Sequence, residues 1–242
     1  NVGNVSGVLT SNGLTIDTDL PIISSVAEGS NISESIENPG FSLSFDGDGD
    51  YVNGPVNSFP DGDSPRTLTA RVKINSFKSD NAIFHYGTNS YNNMFALALS
   101  PDLGKWMFWG YDNDLTSNNQ IELNRWVNLA VTYSSGTIKM YVDGLLDNEA
   151  VTDGLNTQLN QYFTIGNAWG INSAYFDGSI AEINLWNVAL SESQIQSYIT
   201  ASPLGNEEGL VGYWTFNEGE GSTLTNLAGS SNHGAIYGAT WS

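Results

Sequence analysis

Arg125–Gly144 reads RWVNLAVTYSSGTIKMYVDG. Apolar positions Trp126, Leu129 and Val131 are interleaved with polar ones, Ser-Ser-Gly supplies a tight turn, and IKMYVDG returns as an antiparallel partner. This is a hairpin with one face in a core, and Trp126 is expected on that face.

The same grammar extends along the chain. From Phe41 onward, short alternating runs are broken by Gly, Asn, Asp and Pro every ten or so residues. They include SLSF, TLTARVKI, AIFHYG, MFALALS, KWMFWGY, YFTIGN, GSIAEINLW and GLVGYWTF. About ten strands joined by turns predict an all-β protein, a two-sheet antiparallel jelly-roll sandwich. Alternation assigns Trp186 and Trp214 to the core, and splits Trp106 and Phe108 from Met107, Trp109 and Tyr111. One helix is expected near 191–200, in SESQIQSYIT, as a surface connection. There Ser191 caps, Gln194 reciprocates, and Ile195, Tyr198 and Ile199 form the apolar side. Residues 1–38 are rich in Ser, Asn and Gly and read as a linker or edge, with the principal domain spanning 39–242.

Composition narrows the function. A formal charge of −19, from 26 acidic and 7 basic residues, disfavours nucleic acid and anionic membranes and favours divalent cations or neutral ligands. The absence of cysteine removes thiolate metal sites and disulfides, and two histidines are few for a zinc site. A cysteine-free exported protein suits a bacterial source. No apolar run approaches the roughly 18 residues that span a bilayer, so direct membrane insertion is not expected. Beginning at Asn1 without methionine or signal peptide, the chain reads as a fragment of something longer.

Three patterns together resemble the concanavalin A-like, laminin-G and pentraxin-type jelly-roll domains of bacterial exoproteins. They are FSLSFDGDGDYV (41–52), RWVNLAVTYSSGTIKMYVDG (125–144) and YFDGSIAEINLWNVALSESQIQSYI (175–199). The closing GLVGYWTFNEGEGSTLTNLAGSSNHGAIYGATW is similar to the block that ends or precedes such domains. The opening GNVSGVLTSNGLTIDTDLPIISSV resembles the last strand of a bacterial immunoglobulin-like repeat and its junction. The resemblance implies a lectin-like, extracellular module of a secreted or cell-surface adhesin. Its partner would be a glycan or cell-surface glycoprotein, and the domain would be monomeric.

FDGDGDYV raises the metal question. Asp46, Asp48 and Asp50 begin like an EF-hand loop, but Tyr51 stands where glycine is required and Asn57 where a bidentate glutamate is required. The resemblance implies instead a structural calcium between this loop and FDGSIAEINLW, which adds Asp177 and Glu182. The competing reading is that the aspartates shape a turn and Glu182 is hydrogen-bonded between strands. The pentraxin calcium pair is expected to be lost, because Ala168, Trp169 and Gly170 replace its acidic run.

No E-x-D-x-x-E string of glycan-cleaving relatives occurs, so no catalytic residue is expected. His85 reads as a strand residue and His233 as a turn residue. A binding site is expected around Trp169 in the loop GNAWGINSAY, with Asn167, Asn92, Asn93, Tyr111 and Asp112 around it. A divergent polysaccharide hydrolase or lyase, or a purely structural or protein-interaction module, are the alternatives.

Overall fold

Strand alternation is realised in a computed structural model that describes residues 40–77, 82–100, 102–168 and 175–242. The chain separates into units Asn1–Glu37 and Asn38–Ser242. The linker and trailing strand expected over 1–38 lie outside the described residues. In chain order the strands begin with β1 (Leu43–Asp46), β2 (Tyr51–Pro55), β3 (Arg66–Ile74), β4 (Ala82–Gly87) and β5 (Met94–Ser100). Next come β6 (Lys105–Trp109), β7 (Leu115–Thr116), β8 (Trp126–Ser134), β9 (Thr137–Val142), β10 (Leu145–Val151) and β11 (Tyr162–Ile165). Then follow β12 (Asp177–Trp186), helix α1 (Glu192–Thr200), β13 (Leu210–Trp214), β14 (Thr223–Leu224), β15 (Gly234–Tyr237) and β16 (Thr240–Trp241).

They form two antiparallel sheets. The first runs β10-β9-β8-β3-β12-β1-β16, with β13 also on β12, and the second runs β14-β15-β2-β11-β4-β5-β6-β7. The jelly-roll sandwich predicted from the turns is therefore observed. The predicted 125–144 hairpin is β8 and β9, with Ser134 opposite Thr137. Its two turn residues, Ser135 at φ 48° and Gly136 at φ 75°, take the left-handed conformation that a two-residue hairpin matching strand twist requires.

Between the sheets lies a core rich in aromatic rings. Phe84, Phe163 and Trp214 are fully buried, with Phe163 and Trp214 ring centroids 4.9 Å apart. Trp106 and Phe108 join this core while Met107 and Trp109 face away, as alternation requires. Trp126 departs from expectation. Period two groups it with Asn128 and Ala130, and Val127, Leu129 and Val131 face the core instead. Trp126 is half-buried on the outer face, where Arg71 and Lys73 lie over its ring at 5.8 and 5.3 Å.

The helix also does more than connect. Its capping box forms as expected, with the Gln194 N–H donating to Ser191 Oγ and the Ser191 N–H to Gln194 Oε1. Its apolar side then covers a second cluster on the outer face of the first sheet, including Ala130, Trp186, Ile195 and Tyr213. Trp186 is buried there, against Tyr198, and not between the sheets.

One cation sits inside the sandwich. Arg66 opens β3 with no exposed surface, and its guanidinium donates to the carbonyls of Ser64, Pro60, Asp61 and Gly62 and to the Tyr86 hydroxyl. Five fixed donors suit arginine's planar fork, and lysine offers only three from a single point. Hydrogen bonds to a charged group contribute about 1.5–3 kcal/mol each, and five are lost with the guanidinium. Arg66→Met is therefore expected to lower unfolding free energy by at least ~3 kcal/mol in chemical denaturation, and a loss under ~1 kcal/mol would contradict this role.

Candidate functional site

The turn between β4 and β5, Thr88–Asn93, projects from one end of the second sheet and carries two of the predicted residues, Asn92 and Asn93. It starts at Gly87, whose φ is 93° and where a Cβ would stand 2.4 Å from the Asn93 carbonyl, so only glycine lets the chain turn there. Asn92 has φ 59°, donates its N–H to the Tyr111 carbonyl at 3.2 Å, and accepts from the Asn113 side chain. Tyr111 and Asp112 are themselves left-handed, at φ 58° and 82°, a conformation that non-glycine residues adopt at a cost and that favours sites held by their surroundings. Four predicted residues, Asn92, Asn93, Tyr111 and Asp112, are thus brought together at one rim.

The rim is anchored from behind. The Asn92 carbonyl accepts from the Asn156 N–H at 2.8 Å and the Asn93 carbonyl from Gln158 at 3.2 Å. Asn93 Nδ2 donates to Ser90 Oγ, while its Oδ1 is buried without a hydrogen-bond partner. Burial pushes the Asp114 carboxyl above its ordinary value, and the backbone N–H groups of Gly110 and Tyr111 pull it back down.

Beside this turn lies a groove of about 310 Å³ lined by Gly87, Thr88, Asn89, Asn160, Gln161 and Tyr162. Asn160 Nδ2 donates to the Gly87 carbonyl at 2.8 Å, which ties the approach to β11 onto the end of β4. Tyr162 and Tyr111 expose about the same fraction of their surface, 39% and 37%. Asn89, Asn160 and Tyr162 were not singled out from the sequence. Their only signals were the polar stretches NSYNN, which begins at Asn89, and NQY, at the start of the strand YFTIGN.

A buried histidine links the groove to Asn167. His85, on the face of β4 turned away from the core, has Asn89 Oδ1 3.1 Å from Nε2 and Thr164 Oγ1 3.3 Å from Nδ1, and the Thr164 hydroxyl donates to the Asn167 carbonyl at 2.6 Å. Asn167 is therefore placed on the second sheet's outer face, and Ala168 packs beside Ala82 and Trp109. Trp169 lies outside the described residues.

The expected metal ligands divide. Asp46 is paired with Asp177 across β1 and β12, and Asp50 Oδ2 accepts from the Asp46 N–H while Asp46 Oδ1 accepts from the Asp48 N–H. Burial raises the Asp50 carboxyl, and the charges of Asp46 and Asp48 add to that rise. Glu182 is not part of this corner. It faces Arg71 farther along β12 and accepts from Asn184 and Ser202. Among the described residues, no group of three or more His, Cys, Asp or Glu side chains is placed to hold a metal ion, while Asp46 and Asp177 of the expected calcium set stand opposite each other and Glu182 is apart from them. The aspartates instead form a turn through side-chain to backbone bonds.

A second depression, of about 750 Å³, opens on the first sheet and is lined among others by Thr132, Lys139, Tyr141, Glu149 and Glu192. Lys139 and Glu149 pair within it at 3.1 Å, and Tyr141 is only 5% exposed. It presents no exposed aromatic ring of the Tyr162 kind.

With the sheets, the strand-end turn and the groove in place, comparison with known proteins fixes the family. The chain belongs to the concanavalin A-like lectin/glucanases superfamily, whose model matches residues 46–196. Solved structures carry the same fold. A candidate carbohydrate-binding protein from Bacteroides ovatus superposes with a TM-score of 0.70 at 21% identity, over 84% of this chain and 59% of that one. The chain thus spans less than two thirds of that protein's length. A heptameric SAP-like pentraxin from Limulus polyphemus gives 0.57 at 14% identity, over 83% of this chain and 96% of that one. The CBM40 of the Ruminococcus gnavus IT-sialidase, bound to α2,3-sialyllactose, gives 0.52 at 12% identity, over 65% of this chain and 96% of that one. Comparison with curated proteins found no match.

Two measurements follow. Asp50→Ala removes a turn acceptor and is expected to cost about 1 kcal/mol equally in calcium and in chelator, by thermal or chemical denaturation. A cost seen only with calcium would assign a metal role to this corner. Burial lowers His85 from 6.5 to about 4, with the Asn89 bond pulling upward. Above pH 6.5 both states are neutral, whereas between 6.5 and 4 the unfolded chain binds a proton that the folded one refuses. Stability should therefore fall as pH falls through this window, by up to about 1.4 kcal/mol per unit, and His85→Gln should remove that component of the slope. An unchanged slope would contradict it.

Proposed function

We propose that this chain is a non-catalytic carbohydrate-binding module, working outside the cell within a larger surface or secreted protein. The groove at Gly87–Asn89 and Asn160–Tyr162 carries the reading. It combines an exposed tyrosine ring, suited to the C–H face of a sugar, with amides and a hydroxyl suited to sugar hydroxyls. The rim of Asn92, Tyr111 and Asp112 extends the same chemistry. Supporting this, structures of the same fold include a candidate carbohydrate-binding protein and a module bound to sialyllactose. The partner is then a glycan, free or borne on a cell-surface glycoprotein.

The hydrolase alternative requires two carboxylates flanking the scissile bond, roughly 5–9 Å apart. The groove's six lining residues include no acid. No helix among the described residues is long and apolar enough to cross a membrane.

A glycan array followed by calorimetric titration tests the proposal. Saturable binding to a glycan subset is expected, with Tyr162→Ala about tenfold weaker and its melting temperature unchanged. Absence of binding to any glycan, together with release of reducing ends from a polysaccharide, would replace this reading with the enzymatic one.

A further inference from the structure

The lysines and arginines of the sequence, all but Lys78 among the described residues, can be located relative to the groove. There are seven: Arg66, Arg71, Lys73, Lys78, Lys105, Arg125 and Lys139. Arg66 is sealed between the sheets. Arg71 and Lys73 lie over Trp126 on the first sheet's outer face, Arg125 pairs with Asp143 and Lys139 with Glu149. All four belong to the opposite face of the sandwich from the groove.

On the second sheet, Lys105 is opposite Ser100 at the start of β6. It stands four strand positions, about 13 Å, before Trp109, and the Tyr111 rim follows Trp109. Lys78 lies outside the described residues. Residues 1–39 and 169–174 contain no lysine or arginine at all.

What the groove does present is neutral or negative. Its lining is glycine, hydroxyl, amide and phenol, and Asn160 Nδ2 is already given to the Gly87 carbonyl. The rim turn hydrogen-bonded to Asn92 carries Asp112 and Asp114. A saccharide bearing a carboxylate or sulfate would give up hydration there without the bidentate guanidinium or ammonium that normally replaces it. It would also enter the field of nearby carboxylates on a chain of net charge −19, which lowers the local concentration of anions.

We infer that the groove selects uncharged saccharides and rejects sialylated, uronic-acid and sulfated ones. This rests on the glycan-binding reading, and it separates this chain from the sialyllactose-bound module that shares its fold.

The test uses the 242-residue chain on matched glycan pairs that differ only by an acidic residue. Suitable pairs are lacto-N-neotetraose with its α2,3- and α2,6-sialylated forms, and an unsubstituted xylo-oligosaccharide with the same oligosaccharide bearing one glucuronic acid. The neutral member of a bound pair should bind about tenfold or more tightly. Gln161→Arg, which places one guanidinium in the lining, should narrow that gap for the sialylated glycan while leaving the melting temperature unchanged. Equal or tighter binding of the acidic member by the unsubstituted chain overturns the inference and leaves the glycan reading standing. Binding to neither member of any pair overturns the glycan reading, and the inference with it.

Discussion

A single buried guanidinium organises the end of the sandwich that carries the candidate site. By gathering the carbonyls of Pro60, Asp61, Gly62 and Ser64, Arg66 gives the loop before β3 a fixed shape without any carboxylate partner. Gly62 then exchanges two backbone hydrogen bonds with Thr157, and the residues flanking Thr157 donate to the carbonyls of Asn92 and Asn93. Tyr133, packed under the same guanidinium, donates its hydroxyl to Asp63 and accepts from the Leu155 N–H. The rim turn is therefore the last link of a hydrogen-bonded relay that starts inside the core. Such support is what lets Asn92, Tyr111 and Asp112 keep left-handed backbones.

Charge is segregated in the same architecture. Arg71, Lys73, Arg125 and Lys139 lie on the side of the first sheet, where they pair with acids or lie over Trp126, Lys105 starts β6 on the second, and the amides and tyrosines collect at the end of that second sheet. On a chain of net charge −19, this end of the second sheet offers a neutral polyhydroxylated ligand amides, hydroxyls and rings without an ionic partner. Asn89 is held to the buried His85, so at least part of that window is preorganised before any ligand arrives.

Much of the fold was legible because period-two alternation and turn residues act locally. The ten quoted runs all lie on strands, and Ser191 and Gln194 form the capping box that their spacing announces. What escaped was short or polar. β7, β14 and β16 have two residues each, and β10, LLDNEAV, has no alternating apolar face. Trp126 was misplaced because hydrophobicity was weighed above parity, and one position in a strand inverts the face. At the site, four of the six expected ligand residues meet at one rim, and Asn167 joins through Thr164 and His85. Asn160 and Tyr162 went unnoticed because their neighbours come from a strand more than seventy residues away. Glu182 shares a strand with Asp177, yet five positions of extended chain, about 16 Å, keep it from the Asp46 corner.

The central claim is that a neutral glycan seats at the end of the second sheet, between the β4–β5 turn and the approach to β11. An NMR titration of the ¹⁵N-labelled chain with the neutral glycan that binds best on the array tests it most directly. The account predicts saturable shifts confined to the amides and side chains of Thr88–Asn93, Tyr111–Asn113 and Asn160–Tyr162. Shifts centred instead on Lys139, Glu149 and the start of α1, in the depression on the first sheet, would contradict it.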